Sequence, residues 1–465
     1  MLSSIFSVSP FTSDFYLQFY LHFYENIYLY LLCFFTLAFL TFFIYVKIYF
    51  PFWNLQPVRH PYDLFRFWIP TPRIILKQGQ GIMGSLYDIR RRNRFCDFSL
   101  VSVLSVSDMT DSDVNDICLF LQSHFIRHPS DSDVLFLFYP LHFLAYHSSN
   151  SSLVSFIRSG TRELEFFVSS RPILLSFFSD KGKDKDNDKD KGKQFHVSFV
   201  DFLCVRDALD AMSLRKLLQT HFLRSCLLNG SVSVSSSDLS GNLNACIFRK
   251  EDEPSVGIVP FLEYSSDVYL LPRVFPYLTL PPGMRLIFLQ NHSMHIWSDV
   301  ILPQLHLGDL FSMVGVSSVE SLNALIVARI LFIGVLMEVT AGEDIVYAVY
   351  IFRDSRTVYS IPLPPSFMKG ESESESEGAL LHLIGSVYWC DVSLFSLGFL
   401  YCLRELMNNT KDVFRYLMVE DIAHNSLLLE LPLFSNSTND THSIYYYSYN
   451  LLIPTLENSS CFLVF

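Results

Sequence analysis

A β-strand is predicted for the stretch Val200-Asp201-Phe202-Leu203-Cys204-Val205, and a helix is predicted to follow it from Ala208 to Leu228. Aromatic and β-branched residues favour the strand. Apolar side chains recur at helical spacing in the helix, at Leu214, Leu217, Leu218, Phe222 and Leu227. Two further apolar runs, Glu163 to Val168 and Ile173 to Phe178, precede the strand. We therefore expect an antiparallel meander that continues into a helix.

A strand that leads into a helix is a layout suited to acyl transfer. Backbone N–H groups exposed at a strand bulge stabilise the charge that builds on a carbonyl oxygen, and loss of one such donor costs about 3–4 kcal/mol. The first N–H groups of the helix attract phosphates. Phe202 to Leu228 has this layout. Many α/β proteins share it, so the layout alone does not identify an acyltransferase.

Length and composition limit the class of protein. The chain has 465 residues, which favours two domains or one duplicated unit. Apolar residues make up 50% of it, a content that supports large cores. A formal net charge of -12 disfavours nucleic acid as a partner, because phosphates require a basic face. The nine cysteines form no CxxC pair, so we expect neither a structural metal site nor disulfides, and a reducing compartment is favoured.

Helices and strands alternate along the rest of the chain. Helices are expected over Ser107 to His128, capped by Asp111 or Ser112, and over Val392 to Met407. Strands are expected at Val346 to Phe352, Val358 to Leu363, Asp412 to Met418 and Ile444 to Ile453. The charged inserts Asp180 to Lys193 and Glu371 to Glu377 are expected to be exposed loops. Two similar halves of mixed elements predict an α+β fold.

A membrane-spanning helix is predicted near the N-terminus. Ile27 to Val46 contains no charged residue and, as a helix, spans about 30 Å, the thickness of a bilayer core. Tyrosines lie toward both ends, as in the aromatic belts of membrane proteins. Lys47 and Arg59 follow the segment and no Lys or Arg precedes it, so the positive-inside rule places the large body in the cytosol. The alternative is an aromatic helix buried in the body.

Three separated stretches resemble the N-myristoyltransferase family. Phe52-Trp53-Asn54-Leu55-Gln56-Pro57-Val58 is similar to its FWxTQPVP motif, and Val200 to Val205 is similar to its NFLCV strand. Ile444-Tyr445-Tyr446-Tyr447-Ser448-Tyr449-Asn450 resembles its YYLYN segment and, as in the family, precedes an apolar chain end, Cys461 to Phe465. Asp412-Val413-Phe414 resembles a DVF stretch that is helical in the family, so strand and helix both stay open there.

The resemblance implies a fold and an activity. It implies two acetyltransferase-like (GNAT-like) halves, at residues 51–255 and 256–465, after an N-terminal segment of residues 1–50 with the transmembrane helix. It implies acyl-CoA, typically myristoyl-CoA, as co-substrate, no permanently bound cofactor, and a peptide or protein amine as acceptor. The amides of Phe202 and Leu203 would form the oxyanion hole, and the terminal carboxylate of Phe465 would take the amine proton. Acyl-CoA would lie along Phe52, Trp53, Leu203, Cys204, Val205, Ser213 and Leu214.

Other residues at this site leave alternatives open. Asp201 replaces the family's Asn, and its carboxylate either holds or deprotonates an ammonium group or is bonded to the backbone at a strand end. Cys204 is expected to be a buried structural thiol rather than a nucleophile. Asp210 stands where the family has Arg, leaving Arg206, Arg215, Lys216 or the Arg90-Arg91-Arg92 cluster for the CoA phosphates. A membrane-tethered scaffold without catalysis is the alternative function.

Overall fold

The computed structural model describes residues 22, 24, 26–63, 72–76, 94–125, 134–178, 192–206, 210–228, 245–272, 275–307, 310–339, 344–361, 376–410, 414–435 and 437–465. Two compact units divide the chain, Met1–Leu55 and Gln56–Phe465. We call the second unit the body. The predicted boundaries between residues 50 and 51 and between 255 and 256 stay predictions.

The first unit contains one long helix, α1 (Ile27–Tyr49). All of its side chains except those of Ile27 and Val46 are exposed, which does not fit a helix buried in a core. It is long and apolar enough to cross a membrane by length and composition. The helix predicted at Ile27 to Val46 is therefore confirmed as a helix and continues to Tyr49.

Most strands of the body join one mixed sheet. The strands are β1 (Arg73–Ile74), β2 (Ser102–Ser105), β3 (Val134–Phe136), β4 (Leu153–Arg158), β5 (Leu164–Phe177), β6 (Lys193–Val205), β7 (Cys246–Glu251), β8 (Leu262–Leu270), β9 (Met284–Phe288), β10 (Met313–Ser317), β11 (Leu331–Val339), β12 (Asp344–Ile361), β13 (Ser376–Tyr388), β14 (Phe414–Glu420), β15 (Ser437–Tyr449), β16 (Leu451–Leu452) and β17 (Cys461–Val464). Within the described ranges, 15 of them form a sheet with the central order β17-β10-β5-β6-β7-β15-β8-β14-β13-β12-β11-β9. β4 pairs with β5 and β2 with β4, β3 pairs with β12, and β1 pairs with β16.

Helices cover this sheet: α2 (Asp111–His124), α3 (Pro140–Tyr146), α4 (Ala211–Leu228), α5 (Val319–Val327) and α6 (Val392–Asn409), with short helical segments at Met294–Leu305 and Asn425–Leu428. The cap of α2 is Thr110, not the predicted Asp111 or Ser112. Thr110 forms a reciprocal capping box with Asp113, which satisfies N–H groups that the helix itself leaves open. α6 buries Phe395, Phe399, Cys402 and Leu406, side chains at helical spacing on one face.

The order of hairpin, helix and parallel strand occurs twice along the chain. In the first copy the antiparallel pair β5–β6 leads through α4 to β7, which runs parallel to β6. In the second copy β12–β13 leads through α6 to β14, which runs parallel to β13. This repetition agrees with the mixed α+β fold of two similar halves that the sequence predicts.

Several predicted elements have different bounds in the structure. The two strands predicted at Glu163 to Val168 and Ile173 to Phe178 are one continuous strand, β5, and those at Val346 to Phe352 and Val358 to Leu363 are joined in β12. Phe414–Glu420 is a strand, which confirms the strand prediction for this part of the Asp412 segment. Residues 126–128, 179–191, 207–209, 362–375 and 411–413, on which other predictions fall, lie outside the described residues.

Candidate functional site

A β-bulge interrupts the pairing of β5 with β6. Asp201 pairs with Ser169 and Cys204 pairs with Phe167, so Phe202 and Leu203 together lie opposite one residue of β5. Phe202 has a φ of 46°, a value that L side chains rarely adopt. A bulge turns a strand and removes backbone groups from the ladder. The kink that the oxyanion-hole prediction requires therefore lies at the two predicted residues.

The parallel partner of β6 also ends before the bulge. Among the described residues, β7 pairs with β6 only at Ser198, Phe199 and Val200. Beyond Val200 the two strands separate. At Phe202 and Leu203, β6 is therefore no longer paired with β7 on one side. On its other side, its regular pairing with β5 is interrupted by the bulge.

Aromatic rings hold the kink in place. The Phe202 ring packs against Phe138 at 4.9 Å, Tyr146 at 5.3 Å and Phe125 at 5.4 Å between ring centroids. His147 lies at 6.1 Å and completes the group. Such contacts each contribute about 0.5–1.5 kcal/mol, which is comparable to the cost of about 1–3 kcal/mol for a residue in a sparsely populated backbone region.

Asp201 forms an ion pair with a buried arginine, which the sequence did not predict. Arg171 Nε donates to Asp201 Oδ2 at 2.7 Å, and the Arg171 side chain is 2% exposed. The guanidinium lies over the rings of Tyr146, at 5.1 Å, and Phe199, at 5.7 Å. The Asp201 carboxylate is thus neither a simple strand-end group nor free of charge partners. The carboxylate is therefore held in place by a cation from the neighbouring strand.

The chain end lies beside the same strand. β17 pairs in parallel with β10, with Cys461 opposite Met313 and Val464 opposite Val316. Phe465 is 7% exposed, and its ring packs on Phe199 of β6 at 4.4 Å. Within the part of the chain that the structure describes, the terminal carboxylate forms no ion pair. The structure thus brings Phe465 next to β6, three residues before Phe202.

The residues expected to lie along acyl-CoA differ in exposure, and a carboxylate lies at the start of the following helix. Cys204 is buried at 2% exposed, which agrees with a structural thiol, whereas Leu203 is 42% exposed. At the start of α4, Asp210 Oδ1 accepts hydrogen bonds from the N–H groups of Met212 and Ser213, both at 3.1 Å. The hydrogen bonds to Ser213 lower the pKa of Asp210. A carboxylate therefore takes the helix N–H groups that a phosphate would use.

Two of the basic residues considered for the CoA phosphates already have carboxylate partners. Arg206 pairs with Glu163, and Lys216 Nζ lies 2.9 Å from Asp97 Oδ2. Hydrogen bonds from Ser99 and Lys216 hold the pKa of Asp97 well below its ordinary value. Arg215 forms no ion pair with any described residue. Arg90, Arg91 and Arg92 lie outside the described residues.

Phe52 and Trp53 belong to the unit that contains α1. Their rings pack edge to face at 4.8 Å. Their predicted contact with acyl-CoA stays a prediction, as do the roles assigned to Val205, Ser213 and Leu214. Among the described residues, no group of His, Cys, Asp or Glu could hold a metal ion.

The sequence analysis missed Arg171 and Tyr146. Arg171 begins an otherwise apolar strand run and pairs directly with Phe199 across the hairpin. A charged residue in a strand buried on both faces is unusual without a partner. An arginine in this position, with Asp201 on the neighbouring strand of the predicted hairpin, was the sequence feature that could have indicated the ion pair. Tyr146 lies in α3, far away in sequence, and no pattern connects it with the site.

Comparison with known proteins shows a likeness in fold. No protein-family model and no curated protein sequence matches the chain. Crystal structures of Saccharomyces cerevisiae N-myristoyltransferase with bound myristoyl-CoA match with a TM-score of 0.60 and 13% sequence identity, over 88% of this chain and 89% of that chain. A structure of the same enzyme with myristoyl-CoA and inhibitors matches with a TM-score of 0.59 and 12% identity, over 89% and 93%. The chain has the mixed α+β fold of N-myristoyltransferase, which confirms the expected fold.

Proposed function

We propose that this protein transfers a fatty acyl group from acyl-CoA to an amine, as N-myristoyltransferase does. The observation that carries the proposal is the meeting of two features on β6. Phe202 and Leu203 form the bulge of β6, and the ring of the buried last residue, Phe465, packs on Phe199 of the same strand. The sequence predicts both features from separate motifs, and the fold supports their use in one site.

The reaction assigns a role to each feature. The acceptor amine attacks the thioester carbon, and the amides of Phe202 and Leu203 donate to the developing oxyanion. The Phe465 carboxylate accepts the proton that the amine nitrogen loses on attack. The C–S bond then breaks and CoA leaves as a thiolate. Asp201 is the other candidate for the base, and its carboxylate is paired with Arg171.

The test adds two alanines after Phe465 in the full-length protein. The extension moves the carboxylate away from the strand, and we expect turnover of myristoyl-CoA and a glycine peptide to fall about 10²–10⁴-fold. Binding of myristoyl-CoA should persist. The same two alanines placed before Met1 are the control. Turnover that is unchanged by the C-terminal extension removes the terminal carboxylate from the mechanism.

We further propose that α1 anchors the protein in a membrane with the body on the cytosolic side. A bilayer core matches about 20 residues of apolar helix, and α1 has 23. Replacing Phe35 and Phe39 with Arg places charges at the centre of the span, each costing about 2.5–3.5 kcal/mol. We expect the variant to leave the alkali-washed membrane pellet while F35L/F39L stays in it. Equal pelleting of both variants argues against a span.

A membrane-tethered scaffold is the second candidate function. It is favoured by the Asp210 carboxylate on the helix N–H groups and by the carboxylate partners of Arg206 and Lys216. Titration of the full-length protein with myristoyl-CoA and with CoA alone separates the two functions. Binding below about 10 µM supports the enzyme. Lack of binding at roughly 50 µM supports the scaffold.

A further inference from the structure

The direction of the main chain before the bulge follows from one hydrogen bond. The Ser198 N–H donates to Ala245 O at 3.0 Å, toward β7. Successive residues of a strand present their N–H and C=O groups to opposite sides, so Asp201, three residues later, presents both groups to β5. Its pairing with Ser169 agrees with this direction. The Asp201 carbonyl therefore points toward β5.

The N–H groups of the two bulge residues point the other way. A peptide group is planar and trans, so the Phe202 N–H points opposite to the Asp201 C=O, away from β5. After the bulge, the Arg206 N–H donates to Glu165 O at 2.8 Å, toward β5. Counting back from Arg206 by alternation, the Leu203 N–H also points away from β5. Both N–H groups therefore face the side on which the pairing of β6 with β7 has ended.

Two side chains of β5 hold Asp201. The buried Ser169 hydroxyl donates to Asp201 O at 3.3 Å, a long hydrogen bond. Arg171, two residues further along and thus on the same face of β5, donates from Nε to the Asp201 carboxylate at 2.7 Å. Asp201 is therefore held at its main chain by one residue and at its side chain by another.

The bond from Ser169 opposes a rotation that the strained backbone favours. Phe202 has a φ of 46°, which L side chains rarely adopt. Rotation of the Asp201–Phe202 peptide plane would relieve this φ and would turn the N–H to another direction. Because the carbonyl and the N–H belong to one rigid plane, a donor on the Asp201 carbonyl also fixes the direction of the Phe202 N–H.

We propose that Ser169 is a positioning residue of the acyl-transfer site, whose hydroxyl fixes and polarises the peptide group that donates to the oxyanion. This inference rests on the proposed function, which assigns the Phe202 N–H to the oxyanion. The Ser169 hydroxyl, the Asp201–Phe202 peptide group and the thioester oxygen form one chain of hydrogen bonds, and the bonds of such a chain polarise one another.

This chain of hydrogen bonds is strongest when charge develops on the substrate. As negative charge builds on the thioester oxygen, the Phe202 N–H is polarised and the Asp201 carbonyl becomes a stronger acceptor for the Ser169 hydroxyl. The contribution of Ser169 is thus larger in the transition state than in the bound substrate. Its loss should therefore lower kcat and leave the affinity for acyl-CoA unchanged.

The kinetic experiment compares S169A with S170A in the full-length protein. Ser170 lies on the opposite face of β5, and its Oγ is 3.1 Å from Ser225 Oγ. Each variant thus removes one buried hydroxyl from the same strand. We expect S169A to lower kcat for transfer from myristoyl-CoA to a glycine peptide about tenfold, less than the roughly 10²–10³-fold that follows loss of a whole oxyanion-hole donor. S170A should keep kcat near the wild-type value, and both variants should match in Kd for myristoyl-CoA and in urea midpoint.

A spectroscopic readout does not depend on turnover. Infrared difference spectra of bound myristoyl-CoA, labelled with a heavy carbon isotope at the thioester carbonyl, report how strongly that carbonyl is polarised. We expect the carbonyl band in the S169A complex to lie at higher frequency than in the wild-type and S170A complexes, because a weaker donor polarises it less.

The outcomes separate this inference from the proposed function. A fall in kcat or a band shift confined to S169A, at unchanged affinity and stability, supports the inference. Equal kcat and equal band positions in S169A and S170A overturn it and leave the transferase function intact, and so does a loss of kcat that only follows the loss of folded protein. A band shift confined to S169A without acyl transfer supports the role of Ser169 and removes the transferase function. Absence of myristoyl-CoA binding to the wild type overturns both.

Discussion

At the scale of single residues, the site depends on a strained main chain and on one residue without a side chain. Phe202 holds a positive φ because its ring is fixed among Phe138, Tyr146 and Phe125. Gly315 of β10 lies between β5 and β17. A Cβ built there would lie 2.8 Å from Leu463 Cδ2 and 3.0 Å from both Leu175 Cδ2 and Phe465 Cε1. The absence of a Cβ thus lets the final strand pack closely.

Replacing Gly315 with Ala should displace the chain end. Overpacking of a filled core costs about 1–3 kcal/mol of unfolding free energy, which should leave the protein folded. The shift of Phe465 should lower kcat in the folded protein. Steady-state kinetics and urea unfolding measure the two effects.

The control for this change is G385A. A Cβ at Gly385 would meet Phe462 Cε2 at 3.6 Å, an ordinary contact with the same final strand. We expect G385A to keep near-normal kcat. Equal kcat for G315A and G385A would show that the position of Phe465 does not matter for turnover.

At the scale of elements, the start of α4 affects how tightly the acyl donor, acyl-CoA, would bind. Asp210 caps the helix through Met212 and Ser213, and a carboxylate there repels a phosphate. D210N keeps a capping side chain and removes the charge. We expect myristoyl-CoA and CoA to bind several-fold more tightly to D210N, measured by isothermal titration. Unchanged affinity for CoA would place its phosphates away from this helix.

At the scale of the whole molecule, buried histidines set a pH window of stability. Burial lowers the pKa of His147 to about 4 and that of His221 to about 3, from an ordinary 6.5. The unfolded chain therefore binds more protons below pH 6.5, and stability falls as the pH falls toward 3. Hydrogen bonding to Asp440, followed by Asp252, raises the pKa of His442 to about 9. The stability from His442 is complete below pH 6.5 and is lost as the pH rises to 9.

Urea unfolding should therefore show greatest stability near pH 6.5. The acid side should be steeper, since each fully coupled histidine contributes at most about 1.4 kcal/mol per pH unit. Burial also lowers the pKa of His382 and His424, so several of the described histidines act there and only His442 acts on the alkaline side. H442Q should flatten the decline between pH 6.5 and 9 by about 1 kcal/mol, because its exposed partners weaken the pair, and it should leave the acid side unchanged. An identical decline in H442Q would contradict this assignment.

The sequence by itself determined several of the helices and strands, and the kind of site that it implies stays a prediction. Local pattern predicts the apolar helix at Ile27, the strand at Val200 to Val205 with its following helix, and the apolar chain end, because side-chain periodicity and propensity act over a few neighbouring residues. The bulge lies at Phe202 and Leu203, as the family motif implies.

Tertiary structure alone decided what surrounds these residues. It joined two predicted strands into β5 and paired Arg171 with Asp201. It also placed Tyr146 of α3 against Arg171 and Phe465 against Phe199. These contacts join residues far apart in the chain, and strand register determines which of them meet, since a shift of one residue turns every side chain to the other face. Local sequence cannot specify such long-range contacts, because the packing of the whole sheet selects them.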